Sequence, residues 1–238
     1  NGNQLTVIFH VNDILCSHID QAVLDELLND LRKEFGKLDE LAEEKGMIHD
    51  YLGMRIDFSI PYKVAFTMFD YLEDIVVEAP EDLKPKNCAY PSNDKLFHVD
   101  ENSPLLEPKK ADLFHRMVAR ILYASKRARP DCAVTTAFLC TRVKAPTEED
   151  YKKLGRLIGY IRDTIDLPLI LGADGNGTCT WNIDASYAVH PNCRSHTGAA
   201  LSLGHGTLIP ISAKQKLVTR SSTEAELVAV DDAMTFVM

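Results

Sequence analysis

Leu5-Thr-Val-Ile-Phe9 is a short β-rich run, broken by His10-Val-Asn-Asp13 and resumed at Ile14-Leu-Cys16. That order predicts strand, tight turn, strand. Apolar residues at 23, 24, 27, 28, 31 and 35 then have helical spacing, and Gly36 is placed to end the helix. Tyr51–Phe58 and Lys63–Thr67 flank Pro61-Tyr62 and read as a hairpin, followed by a short helix over Phe69–Glu78 that Pro80 stops. Residues 80–108 hold five prolines and read as an irregular linker. Three helical patterns follow, over Ala111–Arg127, Asp131–Val143 and Thr147–Thr164, the last opening on a Thr N-cap with three acids behind it. After Gly172-Ala-Asp-Gly-Asn-Gly177 the periodicity changes to strands at Thr178–Asp184, Gly198–Leu203 and Gly206–Lys214. A final helix starts at Ser221 or Ser222, and its apolar face is expected to be Leu227, Val230 and Ala233.

The pattern is therefore α+β, with a boundary expected near 172–177. Asp174-Gly-Asn-Gly177 lacks the glycine and glutamate of a calcium loop and reads as a turn. The 238 residues are 45% hydrophobic and 26% charged, which excludes wholesale disorder. No apolar run is long enough for a membrane span. The chain starts without Met or a signal-like segment and stops inside an apolar pattern, so it reads as a piece of a longer protein. Six cysteines without a CxxC pair point to a reducing intracellular compartment, and Cys132 and Cys140 share a helix face that reads as core. Eight scattered histidines have no zinc-ligand spacing.

Charge changes the picture. The net charge is −9, yet residues 109–163 hold thirteen Lys and Arg against six Asp and Glu, leaving −16 for the rest. A basic segment in an acidic chain suits a polyanion face, and it equally suits a solvated helical bundle. Two places offer acids for metal-assisted phosphoryl transfer, which needs carboxylates holding two cations. One is the hairpin tip Asn12-Asp13. The other pairs Asp184, at a strand end, with Glu224 or Glu226 on the final helix.

Ser221-Ser-Thr-Glu-Ala-Glu-Leu-Val-Ala-Val230, with Trp181-Asn-Ile-Asp184, Arg194-Ser-His-Thr-Gly198 and Ser212-Ala-Lys-Gln215 before it, resembles the start of the ribonuclease H domain of copia-type retrotransposon polyproteins. Arg129-Pro-Asp131 and Tyr160-Ile-Arg-Asp-Thr164 resemble the thumb and connection of that family's reverse transcriptase. His49-Asp-Tyr-Leu-Gly53 resembles its primer-gripping hairpin, and His10-Val-Asn-Asp13 stands where the family has Tyr-Val-Asp-Asp. The resemblance implies a partial palm over 1–79, the linker over 80–108, a helical thumb and connection over 109–172, and an incomplete ribonuclease H-like mixed sheet with helix over 178–238.

It implies Asp184 and Glu226 as ribonuclease H metal ligands and Asp13 as the second polymerase acid. Mg²⁺ would be the cofactor in the intact family. Asn12 replaces the first polymerase acid, and an amide offers a neutral carbonyl oxygen that cannot offset cation charge. The family's other acids fall outside this sequence, so the chain itself is expected to be inactive, or to be a non-catalytic nucleic-acid-binding module. Lys126, Arg127 and Arg129 would face an RNA–DNA hybrid or template–primer duplex, with Lys214, Lys216 and Arg220 beside the ribonuclease site. The other partners implied are the remaining polyprotein segments, with no membrane.

Overall fold

The computed structural model describes residues 3–36 and 41–236. Its first part runs β1 (Thr6–His10), β2 (Asp13–Ser17), α1 (Gln21–Phe35), β3 (Ile48–Tyr51), β4 (Met54–Asp57), β5 (Lys63–Thr67) and α2 (Phe69–Glu78). Then come α3 (Pro108–Ser125), α4 (Ala133–Cys140) and α5 (Glu148–Asp163). The last part is β6 (Leu169–Ala173), β7 (Thr180–Ser186), β8 (His196–Ser202), β9 (Gly204–His205), β10 (Ile209–Lys214) and α6 (Ser222–Met234). Among the described residues every strand pair in these sheets is antiparallel, and the architecture is α+β.

β1 and β2 form the expected hairpin, with His10 opposite Asp13 and Val11-Asn12 at the turn. Val11 takes φ 55°, a left-handed conformation that is unfavourable for a β-branched residue. Neither hairpin strand nor α1 contains a buried residue.

A five-stranded sheet has the order β3-β4-β5-β6-β9. The strand expected from Tyr51 onward is interrupted, because Leu52 (φ 53°) and Gly53 (φ 73°) reverse the chain in a two-residue turn. β6 and β9 join a sheet that begins in the N-terminal part of the sequence. Gly172 pairs with His205 and Ala173 with Gly204, so a backbone ladder crosses the 172–177 stretch.

The core sits among α2, α3, α4 and α5, where Leu72, Phe114, Phe138, Leu154 and Ile158 are all buried. α5 opens as its sequence dictates: Thr147 and Asp150 exchange capping-box hydrogen bonds. Arg142 joins them by donating to both Asp150 oxygens at 3.1 Å.

The proline-rich segment is irregular but is no free tether. It straps across α5, burying Leu83, Cys88, Leu96 and Leu106. Arg162 donates to the Lys84 and Pro85 carbonyls at 3.0 and 2.9 Å, and Asp163 accepts from the Cys88 amide at 2.9 Å. Close approach needs Gly159, where a Cβ would stand 2.6 Å from the Pro85 carbonyl oxygen.

The second sheet has the order β10-β8-β7, leaving β7 at an edge, and α6 covers one face. The covered stripe of α6 is Ala225, Ala229 and Ala233. Leu227 is 67% exposed and Val230 is also exposed, which corrects the face expected from hydrophobicity. Small side chains let the helix axis approach the sheet, and Ala233 packs against Ala199 and Ile211.

Candidate nucleic-acid interface and acidic positions

At the first hairpin tip Asn12 lies on the exposed two-residue turn and Asp13 follows it as the exposed first residue of β2. They supply one carboxylate and one amide. In the second sheet, cross-strand partners share a face and successive residues alternate. Ile183, Ala199 and Ile211 are partners on the face under α6. Asp184 pairs with Gly198, one position along, and leaves the sheet on the other face, exposed. Glu226 is half-buried beside Ala225 on α6, and Glu224 is exposed, its carboxylate capping the Arg220 amide at 2.5 Å. Asp184 thus lies on the face of the sheet away from α6, the helix that carries Glu226. Among the described residues no group of three or more His, Cys, Asp or Glu is placed to hold a metal. One carboxylate at the hairpin and two at the second sheet do not fit a two-cation centre.

The basic residues converge better. The Tyr123 hydroxyl on α3 donates to the Leu52 carbonyl at 2.9 Å, docking the β3–β4 turn on the helix. The Arg127 guanidinium lies 3.5 Å above the Tyr123 ring, which holds its planar fork in place. Lys126 beside it donates to the Pro210 carbonyl of β10 at 3.3 Å. Pro210, Ser212 and Lys214 share one face of β10. Burial first, then the neighbouring charges of Arg194 and Arg142, hold the Lys214 ammonium below the usual lysine range. Lys216 and Arg220 are exposed on the loop that follows.

Arg129 is elsewhere. It is 1% exposed. It donates to both oxygens of Asp131 at 2.7–3.2 Å, and to the Thr164 hydroxyl and carbonyl at 2.7 and 3.1 Å. The Tyr160 hydroxyl also donates to Asp131 at 2.9 Å. Burial works to raise the Asp131 pKa, but Arg129's hydrogen bond and charge and the Tyr160 hydrogen bond outweigh it and hold the carboxyl below its ordinary value. The expected phosphate contact of Arg129 is therefore replaced by a structural one. The network ties Arg129-Pro-Asp131 to Tyr160 and Thr164, giving both sequence fragments one role: locking α3, α4 and α5 together.

Sequence reasoning also passed over a buried histidine pair. His190 Nε2 and His196 Nδ1 lie 3.1 Å apart, His196 Nε2 reaches the Ser212 hydroxyl at 2.7 Å, Phe97 packs on both rings and Phe138 stacks on His190. Burial first, and for His190 the nearby charges of His196 and Lys214, push both pKa values down to about 4. The spacing of six gives no signal, because the residues meet through a loop and not along one element. Asp232 was likewise missed: it accepts from the buried Thr197 hydroxyl at 2.7 Å and anchors α6 to β8.

No family model and no solved structure matches the chain. It is 27% identical over 222 residues to an uncharacterised mitochondrial protein of Arabidopsis thaliana, covering 92% of the chain and 88% of that protein. It is also 27% identical over 222 residues to the retrovirus-related Pol polyprotein of the Arabidopsis transposon RE1, covering 92% of the chain and 14% of the polyprotein. Against the corresponding polyprotein of tobacco transposon TNT 1-94 it is 24% identical over 239 residues, covering 97% and 17%. Nearly the whole chain thus resembles one segment of retrotransposon Pol polyproteins, a segment that is a small part of their length.

Proposed function

We propose that the chain is the palm end, thumb and connection of a copia-type reverse transcriptase, followed by the first half of its ribonuclease H domain, and that it seats an RNA–DNA hybrid or template–primer duplex. The observation carrying this reading is the cationic ridge from the β3–β4 turn through Tyr123, Arg127 and Lys126 to Pro210 and Lys214. Phosphates along a duplex would meet Lys126, Arg127 and Lys214, with Lys216 and Arg220 at one end. Such contacts fix position and carry no sequence information. Lys214, whose ammonium is disfavoured by burial and then by Arg194 and Arg142, would be relieved by a polyanion. Mg²⁺ supplies phosphoryl-transfer chemistry in the intact family, but Asn12 and the sparse acids here do not fit a two-cation centre.

The test is hybrid-duplex binding by the chain carrying Lys126→Gln and Arg127→Gln. Losing two phosphate contacts should weaken binding and flatten the log–log salt slope by about 2. Unchanged affinity and slope would overturn the ridge as the duplex-binding surface.

A further inference from the structure

Between α5 and the proline-rich strap lies a second basic site, made of residues other than those of the ridge. The proline-rich strap and α5 enclose a cavity of about 410 Å³, within the size range of small-molecule sites. Glu149, Lys152, Lys153 and Arg156 of α5 line it, and their i, i+3, i+4, i+7 spacing places them on one helix face. Lys86 and Lys95 line it from the strap.

Lys153 and Glu149 neutralise each other across 3.3 Å. The other four cations have no ion pair among the described residues. Arg156 differs in this from Arg129, Arg142 and Arg162, each of which is held by a carboxylate. The floor includes Thr135 of α4, which is 1% exposed. Its hydroxyl has no hydrogen-bond partner, although the adjacent Thr136 hydroxyl donates to the Cys132 carbonyl at 2.8 Å. Four cations without ion pairs around an unpartnered buried hydroxyl match a multivalent anion with several acceptor oxygens. The Arg162 and Asp163 contacts to the strap hold the cavity in shape before any ligand arrives.

We propose that this cavity binds a phosphate-bearing ligand through Lys86, Lys95, Lys152, Arg156 and the Thr135 hydroxyl. The shared chemistry is a linked phosphate group, which a free diphosphate or nucleoside triphosphate can supply, and so can the backbone of a nucleic-acid strand.

The experiment titrates the full chain with pyrophosphate at low ionic strength by calorimetry, beside the Lys152→Gln/Arg156→Gln and Thr135→Val variants. The chain should bind pyrophosphate, and the double variant should bind it about tenfold more weakly or worse, the size of a lost charge-assisted hydrogen bond. Thr135→Val should weaken binding without lowering the melting temperature, because it removes a hydroxyl that has no partner. Lys126→Gln/Arg127→Gln should leave pyrophosphate affinity unchanged. A short single-stranded DNA then separates the sources. Competition with pyrophosphate that the double variant abolishes assigns the site to a nucleic-acid backbone, and failure to compete assigns it to a free ligand. No heat with pyrophosphate, or equal affinity in the chain and its Lys152→Gln/Arg156→Gln variant, overturns the proposal.

Discussion

The N-terminal hairpin with α1 and the α2–α5 core come from equally regular sequence patterns, yet they differ in what holds them. In the core, Phe114, Phe138, Leu154 and Ile158 are wholly buried, and the charged groups beside them, Arg129 with Asp131 and Arg142 with Asp150, are paired. In the hairpin, Phe9 is 77% and Val11 89% exposed, and α1 buries nothing completely. Periodicity fixes which element forms. Packing partners, often distant in sequence, decide how much that element contributes to stability.

Truncation should show this contrast most strongly. Phe114→Ala should destabilise the chain by about 3–5 kcal/mol, whereas Phe9→Ala should stay within about 0.5 kcal/mol. Urea unfolding of both variants makes the comparison, and similar losses would erase it.

Next in size is the buried lock. Asp131→Asn leaves Arg129 without its carboxylate and should cost about 3 kcal/mol or more. Asp131's folded pKa is depressed, so its contribution is present above the unfolded carboxylate value and lost as pH falls through the folded one. Acid unfolding of the chain should therefore be steeper than that of the Asn variant.

The histidine pair has its own pH window. Both rings protonate near 4 in the fold, against 6.5 unfolded. Between those values the unfolded chain binds more protons, so stability rises with pH. From pH 7 to pH 5 the pair should lose about 3 kcal/mol. Urea midpoints at the two pH values measure it, and His196→Thr should reduce the difference.

The smallest effects test the α6 face. Leu227→Ala should change stability by less than about 0.5 kcal/mol, while Ala229→Leu should cost about 1–3 kcal/mol by forcing the helix off the sheet. Thermal melts of the two variants decide which face is covered.

Much of the fold was legible. The bounds of α2, the N-caps Thr147 and Ser221 and the first hairpin follow from local signals that no distant contact overrides. β6 was not legible, because Leu169-Ile-Leu171 is a short apolar run whose partner Val64 lies a hundred residues away. The inward face of α6 was misread because alanines gain by close approach what Leu227 would gain by area. Arg129 looked like part of a basic run, since sequence shows its charge but not the enclosure formed by Asp131, Tyr160 and Thr164. Asp184 was placed correctly on a strand, while its face depends on register with β8, which a single strand does not reveal.

The measurement closest to the central claim is the affinity of the purified chain for an RNA–DNA hybrid across salt. Phosphate contacts by Lys126, Arg127, Lys214, Lys216 and Arg220 predict a loss of roughly several hundredfold between about 50 and 200 mM salt. No binding at the lowest salt, or an affinity that salt does not change, would contradict the assignment of the ridge to a duplex.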